Sequence, residues 1–216
     1  MIPVVDLFAG PGGLSEGFNA FQDRAGRQAF KTVLSIEKDV FAHETLKLRS
    51  FFRLFPRKDV PEEYYDHLRG KLERQQLYQS YPEESARADA EAWNAELGNN
   101  QSFPSDKIDR RISESLNGAE NWILIGGPPC QAYSIAGRSR VIPVDPEKYE
   151  KDQRHFLYKA YLRIIAEHRP SLFVMENVKG ILTSEVAGKR IIDRILSDLR
   201  EPMPASRSGN GSGLEG

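Results

Sequence analysis

Short apolar runs recur along the chain, each followed by glycine, proline or an acidic residue and then by a longer segment with apolar positions at helical spacing. The runs are residues 3–8, 32–36, 122–125 and 171–175, the length of buried strands bounded by turn formers. Between them, 14–25 predicts a helix with Phe18 and Phe21 inward, and 40–52 an amphipathic helix with Phe41, Leu48 and Phe52 inward. Ile108, Ile112 and Leu116 recur at i, i+4 and i+8 and predict another. Residues 155–168 carry Leu157, Tyr161, Ile164 and Ile165 on one side, and 186–199 carry Ile192, Ile195, Leu196 and Leu199, which predicts two more. Alternating strands and helices are the order of an α/β fold with a parallel sheet.

Over 54–116 the pattern weakens. Pro56, Pro61, Pro82 and Pro104 punctuate it, and 62–78 and 83–97 are charged and helix-prone, so the segment reads as a helical insertion. Tyr64, Tyr65, Tyr78 and Tyr81 among Arg69, Lys71 and Arg74 have the composition of a base-stacking surface. Glu62, Glu63, Asp66 and Glu73 cancel that basic charge and favour the half-buried face of an insertion.

The 216 residues, 39% apolar, suffice for one α/β domain with a substantial core. A net charge of -1 and a pI near 6.5 lack the basicity of a complete nucleic-acid binder, so phosphate contacts need a local patch or a second protein segment. The single cysteine excludes an internal disulfide and fits a reducing cytosol. No apolar run reaches the roughly 18 residues of a membrane span, and the first residues are strand-like rather than a signal peptide. A cytoplasmic location without membrane association is expected.

The chemistry collects at strand ends. Asp6 precedes the glycine turn Ala9-Gly10-Pro11-Gly12-Gly13 and Leu14; Glu37 ends the second run; Gly126 to Ser134 follows the third; Glu176 and Asn177 follow the fourth. In an open parallel sheet all carboxyl ends point to one edge, where ligands bind. Glycines let backbone N–H groups approach a ligand, and a carboxylate at the second strand tip can accept from both ribose hydroxyls of a nucleoside. Pro128 and Pro129 fix the backbone ahead of Cys130 and so aim its sulfur. A positioned thiolate can add to an electron-poor ring carbon, while the carboxyl of Glu176 hydrogen-bonds a ring nitrogen. The polar loop that follows, with Arg138 and Arg140, has the composition of one that closes over a substrate. His43, His67, His155 and His168 show no metal-ligand spacing, and no metal is expected.

Asp6-Leu7-Phe8-Ala9-Gly10-Pro11-Gly12-Gly13, Glu37-Lys38-Asp39, Gly127-Pro128-Pro129-Cys130-Gln131 with Tyr133-Ser134, and Glu176-Asn177-Val178 resemble motifs I, II, IV and VI of the DNA (cytosine-5) methyltransferases, in the family's order. Asp152, Arg154 and Leu157 are similar to motif V. The resemblance implies a Rossmann-like S-adenosylmethionine-dependent methyltransferase fold, a parallel sheet flanked by helices and C-terminally incomplete. The catalytic domain would span 1–200, with a flexible tail or appended linker over 201–216. It implies that Asp6, Phe8, Ala9, Gly10, Gly12, Gly13, Leu14, Glu37, Lys38 and Pro128 bind S-adenosyl-L-methionine (product S-adenosyl-L-homocysteine), with Phe8 against the adenine and Glu37 on the ribose. Cys130 would attack C6 of a cytosine flipped out of double-stranded DNA, with Glu176 at N3 and the exocyclic amine. Pro129, Gln131, Ser134, Asn177 and Arg138 would contact the substrate. For the family's adenine-contacting Asp-Ile pair, Asp109 is the candidate by spacing, although Arg110 follows it. The family's motif VIII, target-recognition region and motifs IX and X are not found. The chain is therefore expected to be a fragment or one subunit, paired with a complementary chain and weakly active or inactive alone. A non-catalytic S-adenosylmethionine-binding or scaffold protein and a tRNA cytosine-5 methyltransferase are the alternatives.

Overall fold

The computed structural model describes residues 1–128, 157–177, 179–182, 185–186 and 189–200. Five strands, β1 (Ile2–Leu7), β2 (Phe30–Glu37), β3 (Ala92–Asn94), β4 (Ile123–Gly126) and β5 (Leu172–Met175), form a parallel sheet in the order β3-β2-β1-β4-β5. Val4, Val5, Leu7, Leu34, Leu124 and Ile125 are completely buried, because the central strands are covered on both faces and need apolar side chains on each. The chain winds outward from β1 to β3, then returns to the other side of β1 at β4. That reversal opens a crevice between β1 and β4 at their carboxyl ends.

On one face, α1 (Gly13–Ala20) sets Leu14 and Phe18 on Val4, Ile123 and Ile125. Helix α2 (Val40–Arg53) starts where Asp39 accepts from the Ala42 N–H at 2.8 Å, and it buries Leu46, Leu48 and Phe51. Three short helices follow, α3 (Glu62–Leu68), α4 (Arg74–Ser80) and α5 (Pro82–Glu91). They build a separate cluster of Leu77 and Ala88 on Leu48 and Phe51, ringed by Tyr64, Tyr78 and Tyr81. These three tyrosines are thus half-buried against α2 and the helices that follow it. Arg53 donates to both Glu16 and Glu91 and so ties α1, α2 and α5 together.

The other face is covered by α6 (Ser105–Leu116) and α7 (Leu157–His168). Ile108, Ile112 and Leu116, as their spacing predicts, join Tyr161 and Ile164 over Val5, Leu7, Leu34, Ile36 and Leu124. A 3-10 turn (Lys179–Leu182) and a two-stranded hairpin, β6 (Glu185–Val186) with β7 (Lys189–Arg190), lead into α8 (Ile191–Arg200). Helix α8 rests on α7 through Ile195, and Tyr158 donates to Asp198 at 2.8 Å. Among the described residues no helix is long and apolar enough to cross a membrane.

Several expectations change. The helix expected over 14–25 stops at Ala20, because the Asp23 carboxylate accepts from the Ala25 and Arg27 N–H groups at 2.8 and 3.0 Å and closes a turn. Phe21 is accordingly 55% exposed and lies against Phe30 rather than in the core. Phe41 shares the helical stripe of Leu48 but sits in the first turn of α2, beyond the strand ends, and is 84% exposed. The segment 62–78 divides at Gly70, whose φ of +73° suits glycine. The largest difference is at 83–97: the helix ends at Glu91, and Ala92–Asn94 pairs with Ser35, Ile36 and Glu37 as β3. Helix-forming residues are drawn into a strand by the open edge of β2. Both β3 and α6 therefore belong to the sheet's own layers. The final helix begins at Ile191 because the hairpin occupies the residues before it. Finally β5 was expected to be buried, yet Leu172 is 54% exposed; among the described residues no strand pairs with its outer edge.

Candidate active site

Beyond Leu7 the backbone turns through three left-handed residues, Phe8 (φ +56°), Gly10 (+55°) and Gly12 (+86°). A bulky residue in that region costs about 1–3 kcal/mol and persists only where its surroundings enforce it. Here the Ala9 N–H donates to Ile36 O at 3.0 Å and the Gly12 N–H to Ala9 O at 2.9 Å. A Cβ on Gly12 would lie 2.7 Å from Leu46 Cδ1, so this glycine lets α1 start against α2. In front of Gly10 and Gly13 there is open space among the described residues, with none of their atoms within 4 Å of a built Cβ. Leu14 turns its side chain into the core.

Glu37 links the turns after β1 and β2. Its Oε2 accepts from the Gly10 N–H and its Oε1 from the Asp39 N–H, both at 2.7 Å. From the tip of β3, Asn94 Nδ2 donates to Glu37 O at 2.9 Å and Lys38 O at 3.2 Å, and the Ala95 N–H donates to Glu37 O at 3.1 Å. Lys38 pairs with Glu96 at 3.0 Å. A cleft of about 510 Å³ opens here, lined by Lys38, Val40, Phe41, Asn94, Ala95 and Phe103 among others. The helix-prone composition of 83–97 hides Asn94 and Ala95; the local signal for them is Trp93-Asn94, an apolar-to-polar step like those at the other strand ends. Asp109 does not line this cleft. Its two oxygens accept from Arg163 Nη1 at 2.8 Å each, and His168 Nε2 lies 2.9 Å from Oδ1, so it ties α6 to α7.

Asp6 lies beneath the glycine turn and is 1% exposed, and neither carboxylate oxygen has a hydrogen-bond partner among the described residues. Ser15 is beside it, but its hydroxyl donates to Gly12 O at 3.1 Å. Ser35, opposite Asp6 on β2, is also buried without a partner. Burial pushes the Asp6 carboxyl up from 3.8 to about 7; the charge of Glu37 adds to this, and the Ser15 hydroxyl and N–H, which approach it without reaching hydrogen-bond geometry, oppose it together with the Arg53 charge. Between those values the unfolded chain has lost a proton that the folded chain keeps. Stability should therefore fall as pH rises from about 4 to about 7, by an amount on the order of 4 kcal/mol, and level off above. Asp6→Asn is expected to flatten that dependence and to be the more stable form at pH 8, as urea midpoints across this range would show; identical slopes would contradict it.

The ends of β4 and β5 meet on the other side of the crevice. A Cβ on Gly126 would lie 2.2 Å from Leu7 O and 3.0 Å from Leu7 C, so only glycine passes β1 here. Gly126→Ala should cost roughly 3 kcal/mol or more, because the obstruction is paired strand backbone that cannot yield. A denaturant midpoint equal to that of the parent protein would refute this. The Glu176 N–H donates to Gly126 O at 2.9 Å, carrying the β4–β5 pairing past Met175. The buried Tyr161 hydroxyl bonds Val174 O at 3.0 Å and Leu124 O at 3.3 Å, holding the same two strands together. The exposed Glu176 carboxylate lies against Gly127, next to Pro128, and Asn177 follows it half-buried. Pro129, Cys130, Gln131, Ser134 and Arg138, with Asp152 and Arg154, lie outside the described residues.

The rim thus joins a glycine turn above the buried Asp6 carboxylate, Glu37 bonded to that turn, an open cleft beside the tip of β3, and Glu176 against Gly127. Among the described residues no group of three or more His, Cys, Asp or Glu could hold a metal.

A profile described as C-5 cytosine-specific DNA methylase matches residues 84–202, more than half of the chain. The chain is 35% identical over 196 residues to the Type II methyltransferase M.Bpa9945I of Bacillus paralicheniformis, covering 84% of this chain and 42% of that protein. It is 28% identical over 196 residues to M.DdeI of Desulfomicrobium norvegicum, covering 90% and 32%. With M.AquIA of a Picosynechococcus species it shares 26% over 200 residues, covering 93% and 57%. The chain therefore spans between a third and somewhat over half of the length of these relatives.

Proposed function

This chain belongs to the C-5 cytosine-specific DNA methylase family, and from that membership we propose that it supplies the cofactor-binding and catalytic part of an enzyme transferring a methyl group from S-adenosylmethionine to C5 of cytosine in double-stranded DNA. The observation that carries this reading is the meeting of two halves at one crevice. Glu37 is bonded to the Gly10 turn on the β1–β2 side, and Glu176 is bonded to Gly126 on the β4–β5 side.

The cofactor's fit rests on the unpartnered Asp6 carboxylate, the open space before Gly10 and Gly13, and the cleft beside Asn94 and Ala95. Glu37 would hold the ribose hydroxyls, Phe8 and Ala95 the adenine, and Asp6 the cationic methionyl end. Bound there, S-adenosylmethionine supplies an electrophilic methyl group. Cys130 acts on the other reactant: its thiolate forms a bond to C6 of a cytosine swung out of the duplex, because that carbon is unreachable in the stack. Glu176 hydrogen-bonds N3 and the exocyclic amine and offsets the charge that develops as the ring electrons move to C5. After C5 has taken the methyl group, loss of the C5 proton restores the double bond and expels the Cys130 thiolate. Lengths of relatives well beyond this chain support a target-recognition part contributed by further polypeptide, in the same protein or in a complementary chain.

The test is trapping. A duplex with 5-fluorocytosine at the target cannot lose its C5 substituent as a proton, so the adduct should persist on a denaturing gel, with Cys130 as the modified residue, when the complete enzyme and S-adenosylmethionine are present. Methyl transfer to ordinary DNA without a trapped adduct would overturn the covalent route.

A further inference from the structure

We infer that Gly127 is a positioning residue, whose missing side chain is the seat of the Glu176 carboxylate. The inference rests on the role proposed for Glu176. A Cβ on Gly127 would stand 2.6 Å from Glu176 Oε2, 3.7 Å from its Cδ and 3.6 Å from its carbonyl oxygen. Real Cβ atoms do not approach an oxygen so closely, and the bare Cα of Gly127 is thus the surface that the carboxylate touches.

Nothing else at this position requires glycine. Gly127 is not among the described residues with positive φ, so its backbone conformation is open to alanine. Among the described residues, the only group closer than 3.6 Å to the added carbon is the far end of a flexible side chain. Its neighbour is different: at Gly126 the obstruction is the Leu7 carbonyl at 2.2 Å, which is fixed by pairing on both sides. One glycine of the pair serves the packing of two strands, and the other serves the placement of a carboxylate.

The constraint cannot be absorbed by the backbone of Glu176. Its N–H is bonded to Gly126 O at 2.9 Å, and the preceding Met175 is in register with Gly126. A methyl group on Gly127 must therefore rotate the Glu176 side chain and displace its carboxylate by about 1 Å, a displacement that can cost on the order of 10²-fold in rate where alignment with the reacting ring matters.

The experiment is a double-mutant cycle in the complete enzyme: Gly127→Ala, Glu176→Asp and both together, with Glu176→Gln as a reference. The melting temperature, S-adenosylmethionine affinity and kcat are read for each. Gly127→Ala should keep the melting temperature and the cofactor affinity, whose candidate residues apart from Pro128 lie after β1, β2 and β3, and lower kcat about 10²-fold. In the Glu176→Asp background, whose carboxylate is withdrawn by one methylene, the same substitution should cost little further, because the contact is already gone. Equal losses in both backgrounds, parent-like kcat for Gly127→Ala, or a fall in melting temperature like that of Gly126→Ala would overturn the inference. If Glu176→Gln itself kept full turnover, the role of Glu176 would fail instead; a dead Glu176→Gln beside a fully active Gly127→Ala isolates the failure to Gly127.

Discussion

Replacing Cys130 with alanine in the complete enzyme is expected to abolish methyl transfer, with a loss on the order of 10⁴-fold or more. Cytosine C5 is a poor nucleophile while the ring stays aromatic. The bond from the thiolate to C6 is what turns it into an enamine carbon able to attack the methyl group, and no other thiol exists in the chain to substitute. Affinity for S-adenosylmethionine should be unchanged, because the cofactor candidates Gly10, Glu37 and Asn94 are held by bonds to one another at the ends of β1, β2 and β3. Transfer of labelled methyl groups to DNA, cofactor titration, and loss of the 5-fluorocytosine adduct form the matched measurements. Turnover equal to the parent's would exclude Cys130 as the nucleophile.

Glu176→Gln is the second large effect. The amide keeps the length of the side chain, and the backbone bond to Gly126 O at 2.9 Å does not depend on it, so the fold should not change. What is lost is the carboxyl group's ability to share a proton with the ring nitrogen as negative charge develops, a contribution of roughly 10²- to 10⁴-fold. The drop should fall on kcat with little change in cofactor affinity. A kcat near that of the parent would remove Glu176 from the proton-sharing role and leave it a strand-pairing residue.

Much of this was legible in the residues alone, for a definite reason. A strand covered on both faces must be apolar nearly throughout, so the central strands announce themselves as short runs, and the acidic residues in or just past the ends of such runs mark the rim. Asp6, inside the first run, and Glu37 and Glu176, just past theirs, stand out in that way, and the helices at Ile108, Ile112 and Leu116 and around Tyr161 by their spacing. The two-faced rule was less informative for β5, whose residues are as apolar as those of β4 although its outer edge is open among the described residues.

Other features depended on partners far away in the sequence. Ala92–Asn94 carries only the short apolar-to-polar step Trp93-Asn94 as a strand signal; the free edge of β2 makes it a strand, and this puts Asn94 at the cleft beside Lys38. Asp109 looked available by spacing until Arg163 and His168, more than fifty residues on, were seen to hold it. Nothing local to Asp6 says that its oxygens go unpaired, since that follows from which atoms the turn, α1 and β2 bring near it. The sequence by itself determined the central strands, the main helices packed on them and the chemical types waiting at the rim, because burial leaves a periodic trace in composition. Only the tertiary structure decided which of those groups meet, as Gly127 and Glu176 do across β4 and β5, because contact between distant segments is set by the packing of the whole sheet and leaves no trace at either position alone.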